Sequence, residues 1–418
     1  MSPLTTTIPF DDSKVQEWIR FQEKQQARKI GASKEELDDL ISNLDLEDYA
    51  DRFGPILRRL DACANFEHPD RVPLSFSVSG SFFCKLNDGK YRMDANLRDY
   101  YTNMELDIEV QARGIRWAHE ELRDDRTGGG FHAEFGPVGE GVLFGFKIIY
   151  PDDTSPWIMR ELQNKEDLER FVRTEFPHPE DHPGLKYVRE LSDRIKDRVE
   201  SAGGRLGAGA GIGIHPPLSA SCALMEPVRV IKLMYTDPDL VHRFFSKLEE
   251  EKVRMHEYDE EKSGRRIENF GHADDHMLML TPAQYRRFEM PHIMAMNKRF
   301  GRETRRLHGD GPNDHLFDIL ANEVKLTDMD IGGFSSLEKA AESLQGKVRF
   351  SGGLNSKDFY TGTSFEKVKA KIDHCLEVAG NIAGYRIAIG GETYVHVDPA
   401  LLRRSVEYVD RAARLPLE

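Results

Sequence analysis

The segment TRRLHGDG, residues 304–311, is a strand-like run that closes on a histidine, an aspartate and two glycines. Four further segments follow a similar plan between helical patterns: RIENFGHADD (266–275), VKLTDMDIGG (324–333), VRFSGGLN (348–355) and YRIAIGGE (385–392). Short strands that alternate with longer helices indicate βα units around a parallel sheet. The repetition therefore predicts an α/β protein.

Two earlier segments, VPLSFSVSG at 72–80 and RLGAGAGIGI at 205–214, raise the number of strands towards eight. This number, in a chain of 418 residues, favours a (β/α)8 TIM barrel over an open sheet. Residues 1–65 are highly charged and helical in pattern. We therefore predict an N-terminal helical extension over 1–65 and the barrel over 66–418.

Several helix boundaries are marked by local sequence. Asp237, Thr281 and Asp398 each precede a proline, which predicts that a helix begins there, and Gln284 completes a capping box with Thr281. Thr363 and Glu366 predict a further cap, for a helix that ends at Gly380.

The composition excludes several classes of protein. With 58 basic and 72 acidic residues the net charge is -14, which disfavours nucleic acid and anionic membranes as partners. The uncharged segment 206–225 is interrupted by Gly and Pro, so it is predicted to be a strand and loop and not a membrane span. Four scattered cysteines and an N-terminus without a signal sequence predict a cytoplasmic protein without disulfides.

The active site of a barrel lies at the carboxyl ends of its strands. His308 and Asp310 are two residues apart, as are Asp328 and Asp330, so each pair shares a face of its strand. A histidine beside a carboxylate suits general acid chemistry, with Asp310 orienting His308. The predicted catalytic residues are His308, Asp310, Asp274 and Asp275, and the predicted substrate-binding residues are His272, Asp328, Asp330, Asn355 and Arg123.

Polar residues near strand ends also have structural roles. Asn313, Asp314 and Asp398 are predicted to cap helices, because Asn and Asp are preferred at that position. The glycine-rich loop 123–136 either reaches the site or merely turns, and His215, before two prolines, is structural or functional with equal weight.

Three segments resemble the uroporphyrinogen decarboxylase superfamily, which includes cobalamin-linked and methionine-synthase-like methyltransferases: RRLDACANFEHPDRVPLSF (58–76), GHADDHMLMLTPAQYRRFEMPHI (271–293) and VRFSGGLNSKDFYTGTSFEKVKAKIDHCLEVAG (348–380). The order of ADDHMLMLTP and LHGDG is more similar to the methyltransferase branch. The Arg-rich opening of true uroporphyrinogen decarboxylases has no counterpart beyond Arg71.

The resemblance implies methyl transfer that involves a methylated small molecule, a corrinoid protein and a folate, with His308 protonating the leaving oxygen or nitrogen. A decarboxylase is the alternative, with a cationic clamp from Arg123 or Arg126. A third alternative is a binding barrel that has lost its chemistry. The resemblance also implies a homodimer, to which Trp18, Ile19, Phe21 and Leu40 would contribute apolar surface.

Zinc-dependent members of the superfamily carry His-x-Cys and a later Cys. Here the first motif is His308-Gly309-Asp310, and Gly391 and Glu392 stand where the late Cys is expected. The thiolate zinc site is therefore absent, and we expect no tightly bound cofactor. If a divalent metal binds, its expected ligands are His308, Asp310 and Glu392.

Overall fold

Eight short strands form the centre of the molecule. The computed structural model describes residues 7–391 and 393–415. The strands are β1 (Leu74–Ser75), β2 (Phe131–Ala133), β3 (Ala208–Ala210), β4 (Asn269–Ala273), β5 (Thr304–His308), β6 (Asp328–Asp330), β7 (Arg349–Asn355) and β8 (Tyr385–Gly390).

The pairing of these strands is parallel throughout. One sheet has the order β4-β5-β6-β7-β8-β1, and β2 pairs with β3. In the register, His308 at the end of β5 lies between Ala273 of β4 and Asp330 of β6. Helices follow the strands along the chain, and the predicted (β/α)8 barrel is confirmed.

Strand β2 is the one that the sequence did not predict. It lies inside the glycine-rich loop 123–136, spans three residues and pairs with the glycine-rich β3. A strand this short, preceded by three glycines, has too few residues to show an alternating pattern. The loop therefore supplies a barrel strand.

The helices of the amino-terminal half cover the outside of β1 to β3 and include the extension. They are α1 (Ser13–Gln26), α2 (Lys34–Ser42), α3 (Ala50–Ala64), α4 (Gly80–Cys84), α5 (Leu97–Tyr100), α6 (Met104–Trp117), α7 (Gly139–Phe144), α8 (Lys165–Arg173), α9 (Pro183–Ser201), α10 (Pro217–Leu224) and α11 (Pro227–Thr236).

The carboxyl-terminal half contains α12 (Pro238–Ser263), α13 (Pro282–Gln284), α14 (Met290–Phe300), α15 (Phe317–Ile319), α16 (Leu337–Leu344), α17 (Phe365–Ala379) and α18 (Pro399–Ala412). Single π-helical turns extend three helices at Ala118–Leu122, Tyr285–Glu289 and Leu320–Val324. Among the described residues, no helix combines the length and the apolar character needed to cross a membrane.

Most of the predicted caps are present. Asp237, Thr281 and Asp398 accept hydrogen bonds from the first turns of α12, α13 and α18, and Gln284 closes the capping box. The predicted cap at Thr363 is wrong: Ser364 is the N-cap residue of α17, without a side-chain hydrogen bond, although the helix does end before Gly380.

The predicted capping roles of Asn313 and Asp314 are also wrong. Asn313 donates from Nδ2 to the carbonyls of Gly309 and Gly311, and so braces the loop after β5. Asp314 accepts a hydrogen bond from the backbone of Ser336.

The helices of the extension pack against the rest of the chain. Trp18, Leu37 and Ile41 belong to the same apolar core as the barrel helices, and Ile19, Phe21 and Leu40 are partly buried against it. Arg59 of α3 and Arg71 both contact the buried Asp125 carboxylate. The apolar residues expected to support a dimer are therefore covered within the chain, and the homodimer stays a prediction.

The strands alternate between the helix layer and the interior of the barrel. Phe270 of β4, for example, packs on Phe300 of α14, whereas its neighbour Gly271 lines the interior. Small residues occupy many interior positions, namely Ser75, Gly271, Ala273, Ser351 and Ala388. They leave a cavity of about 750 Å³, which we call the lumen cavity and which extends up to His308 and Asp330.

Candidate active site

Four side chains from three strand ends meet at the carboxyl end of the barrel, and His308 is at their centre. Its Nδ1 lies 2.9 Å from Asp330 Oδ2. Its Nε2 lies 3.3 Å from Asp310 Oδ1 and 3.6 Å from Asp275 Oδ1. Asp275 also accepts a hydrogen bond from the Asp310 backbone at 3.1 Å. The structure thus brings together three of the four residues expected to be catalytic, His308, Asp310 and Asp275, with Asp330 of the set expected to bind substrate.

Close backbone contact between the end of β8 and the turn after β6 accompanies this convergence. A Cβ on Gly390 would lie 2.0 Å from backbone atoms of Gly332 and Gly333, so no larger residue fits there. Gly391 has a φ of +75°, and a Cβ there would lie 3.2 Å from the Asp310 carboxylate. Glycine is required at Gly390 because the end of β8 meets the turn after β6, and at Gly391 because of its positive φ.

The carboxylates determine the protonation of His308. Burial lowers the pKa of the imidazole, but hydrogen bonds to Asp310 and Asp330 and the charges of both outweigh this effect and raise the pKa to about 10. His308 is therefore an imidazolium at neutral pH. Because Nδ1–H donates to Asp330, the proton at Nε2 is the one that faces the mouth of the barrel, the opening at the carboxyl ends of the strands.

Asp275, His308 and Asp310 each offer a ligand atom, and these atoms lie within 4.8 Å of one another. One nitrogen and two carboxylate oxygens fit a divalent cation that accepts hard ligands, and would hold it at Nε2 and the two carboxylates. All four cysteines are buried and none is in this group, so the donor set does not fit thiolate zinc. Glu392, the third ligand expected from the sequence, lies outside the described residues.

Asp274 is separated from this group by its complete burial. Ser219 Oγ donates to Asp274 Oδ1 at 2.7 Å and also contacts His276, which joins α10 to the end of β4. Burial, with a smaller contribution from the charge of Asp275, raises the pKa of Asp274 to about 6. Of the two adjacent aspartates after β4, both expected to be catalytic, Asp275 belongs to the group around His308 and Asp274 supports the loop beneath it.

His215, for which the sequence left a structural and a functional role equally open, pairs with a buried carboxylate. His215 Nδ1 lies 2.9 Å from Glu140 Oε1, and its backbone N–H donates to the same oxygen at 2.6 Å. Glu140 is fully buried, and its charge raises the pKa of His215. The two residues are 75 positions apart, and no local pattern pairs them.

The family model described as "Uroporphyrinogen decarboxylase (URO-D)" matches residues 57–412 of this chain. The chain belongs to the URO-D family. A methyltransferase from Methanosarcina mazei has a similar structure, with a TM-score of 0.59 and 17% identity over 84% of this chain and 97% of that one. That likeness supports the URO-D fold. No curated protein matches the chain.

A second solved structure, described as a putative vitamin-B12 independent methionine synthase from Listeria monocytogenes, is similar over 52% of this URO-D chain and 67% of its own. Its TM-score is 0.30 and its identity 14%.

Two residues expected to bind substrate in this URO-D protein, His272 and Asn355, have other contacts. His272 is 4% exposed and donates from Nε2 to Asn297 Oδ1 in α14, 3.0 Å away, so it points into the helix layer. Burial lowers its pKa well below the usual value. Asn355 caps the 3-10 turn Ser356–Phe359 through Lys357. Alternation along β4 and a capping motif after β7 thus direct both side chains to other contacts, although His272 is part of the lining of the lumen cavity.

Arg123 is also distant from the expected position. It is exposed, in a left-handed conformation at φ +58°, and lies near Arg52 of the extension. Arg126, the other arginine considered for a clamp, is held by Asp124 and the Phe76 carbonyl. Asp328 does line the lumen cavity, on the same face of β6 as Asp330, but it lies nearer than His308 to the amino ends of the strands.

Proposed function

We propose that this URO-D family protein transfers a methyl group from a methylated small molecule to a corrinoid or folate carrier. The observation that carries the proposal is the His308 imidazolium, whose Nδ1 is fixed by Asp330 and whose Nε2 faces the cavity mouth between Asp275 and Asp310. The Methanosarcina mazei protein of similar fold, described as a methyltransferase, supports the choice of reaction.

Demethylation of an oxygen or nitrogen leaves a basic atom that must gain a proton. In the proposed step the bond from methyl carbon to the heteroatom breaks, the carrier forms a new bond to the methyl carbon, and His308 Nε2 donates its proton to the heteroatom. A pKa of about 10 suits this role, because the imidazolium remains protonated until a strong base forms beside it. Asp330 orients the ring, while Asp275 and Asp310 stabilise its charge.

We favour a site without metal. If a divalent cation is present, Asp275, His308 and Asp310 would hold it, and it would polarise the substrate heteroatom. No step of the proposal requires it.

The test is methyl transfer to and from free cobalamin. Purified protein is incubated with methylcobalamin and a panel of phenols, amines and thiols, and loss of methylcobalamin is followed by its absorption. We expect acceptor-dependent loss with the wild type and a decrease of about 100-fold or more in His308→Ala, the magnitude typical of a general acid. An absence of methyl transfer in either direction, with folate carriers included, would refute the proposal.

Decarboxylation is the second candidate, and one observation favours it. Arg306 and Arg386 line the lumen cavity below His308, where the loop arginines Arg123 and Arg126 do not reach. In that reaction the bond to a carboxylate carbon breaks, carbon dioxide leaves, and His308 protonates the carbanion. Release of carbon dioxide from carboxylated substrates without any methyl transfer would select this alternative.

A further inference from the structure

The lumen cavity contains a group of charges that the mouth does not use. Arg306, Arg349 and Arg386 surround a single carboxylate, that of Asp328, with closest approaches of 3.7, 3.4 and 3.2 Å. The other acidic group of the lower lumen, Asp125, is itself held by Arg59 and Arg71. Arg59 and Arg71 also pair with Asp70 and Asp410. The excess of positive charge in the lower part of the cavity, towards the amino ends of the strands, therefore lies in the three arginines around Asp328.

The two arginines that line the cavity have unused hydrogen-bonding capacity. The side chain of Arg306 is 60% exposed, and its contact with Asp328 is longer than a hydrogen bond. Arg386 Nε is a buried donor without a hydrogen-bond partner among the described residues. A buried guanidinium donor without an acceptor is costly, so this position favours an anionic ligand.

Space is available for such a ligand. The lumen cavity of about 750 Å³ is of the size that binds small molecules. The interior small residues, described above, keep the volume open between the arginines and His308. Because Arg306 and His308 are two residues apart on β5, their Cα atoms are about 7 Å apart at the usual rise of a strand.

We propose that the lower lumen binds an oxyanion of the substrate, a carboxylate or a phosphate group, between Arg306 and Arg386. The reacting end of the same molecule then lies at His308, so the inference defines the substrate class and rests on the proposed function for the position of the chemistry. Guanidinium groups bind carboxylates and phosphates through paired N–H donors, which explains the choice of anion.

The experiment measures anion binding without turnover. Glutarate, inorganic phosphate and the neutral analogue glutaramide are titrated into the metal-free full-length protein by calorimetry at low ionic strength. We expect one binding site for an anion and no binding of glutaramide. Whether glutarate or phosphate binds with the higher affinity shows whether the site prefers a carboxylate or a phosphate group. Arg306→Gln should weaken binding at least about tenfold, the effect of losing a charge-assisted hydrogen bond.

Arg305→Gln is the matched control, because this neighbour on β5 bonds to the carbonyls of Lys325 and Gly301 outside the lumen. It should bind the anion as the wild type does. Arg306→Lys keeps the positive charge but loses the planar guanidinium, so its affinity for the anion should lie between those of the wild type and Arg306→Gln. This graded result would distinguish loss of the anion site from a folding defect in Arg306→Gln.

Two results overturn the inference: no binding of either anion, or equal binding by wild type and Arg306→Gln. His308→Gln separates this inference from the proposed function, because it should bind the anion within about threefold of the wild type. The charge of His308 is already offset by the carboxylates of Asp275, Asp310 and Asp330 around it. Anion binding without methyl transfer contradicts only the proposed function. Methyl transfer with no anion site contradicts only the inference.

Discussion

His308 and Asp330 lie opposite each other in the register of β5 and β6, and His308 Nδ1 donates to Asp330 Oδ2 at 2.9 Å. Both side chains face the interior because strand positions alternate. This pair fixes the tautomer and orientation of the ring, so that Nε2 points to Asp275 and Asp310. The arrangement resembles other carboxylate-oriented histidines in which the second nitrogen performs the chemistry.

Replacement of Asp330 by Asn should lower the pKa of His308. The amide keeps the size of the side chain but removes the charge that, with the charge of Asp310, raises this pKa to about 10. We expect a fall of about one to two units, the usual effect of one nearby charge. The measurement is an NMR titration of labelled histidine in chelator-treated protein. Asp318→Asn, on the surface, is the control, and an unchanged His308 pKa would show that Asp330 does not set it.

The sign of the corresponding effect on stability follows from the raised pKa. His308 stabilises the fold fully below its unfolded pKa of 6.5 and loses this contribution as the pH rises through about 10. Asp330→Asn should therefore lose stability mainly below pH 10, and the difference from wild type should shrink above it.

The strand positions of the site were predictable from the sequence because alternation and glycine-rich strand ends are local signals. The same alternation excludes His272, which is one residue from both Gly271 and Ala273 and so faces the helices. It also places Arg306 inside, two residues before His308.

Other parts of the site depend on contacts between distant segments. Glu140 and His215 are joined only by the fold, and the open lumen depends on small residues from several strands. Strand β2 has three residues and no alternation to recognise. The Glu140–His215 pair, the open lumen and strand β2 therefore leave no local pattern in the sequence.

Protein purified without chelators or a metal-affinity tag should contain well below one metal ion per chain. A cation at Nε2 must displace a proton from a group whose pKa is raised to about 10, which reduces metal affinity at neutral pH by about three orders of magnitude. Elemental analysis makes the measurement. Near-stoichiometric metal that is lost in His308→Ala would contradict the prediction and assign Asp275, His308 and Asp310 as ligands.

Lys252 also makes the free energy of unfolding depend on pH. Its pKa is lowered in the native state, whereas that of His308 is raised. Burial lowers its pKa from 10.5 to about 8, although the charges of Glu140, Glu289 and Asp274 act in the other direction. Between these pH values the unfolded chain binds a proton that the native state does not, so the native state gains stability as the pH rises.

Relative to Lys252→Met, the free energy of unfolding of the wild type should therefore rise by about 3 kcal/mol between pH 8 and pH 10.5, at 1.4 kcal/mol per pKa unit. Urea unfolding at several pH values measures it, with Lys232→Met, an exposed residue of α11, as the control. A difference that does not depend on pH would show that Lys252 is charged at no cost in the native state.

A substitution of Gly390 tests the close backbone contact between the end of β8 and the turn after β6. A methyl group there would lie 2.0 Å from the backbone of Gly332 and Gly333, where no flexible side chain can move aside. Gly390→Ala should therefore displace the end of β8 from the turn after β6 and destabilise the protein by about 1–3 kcal/mol or more, the usual cost of overpacking. Gly128→Ala is the matched control, because its Cβ would meet nothing within 4 Å. Thermal unfolding compares the two variants. Wild-type stability in Gly390→Ala would disprove the role assigned to this contact.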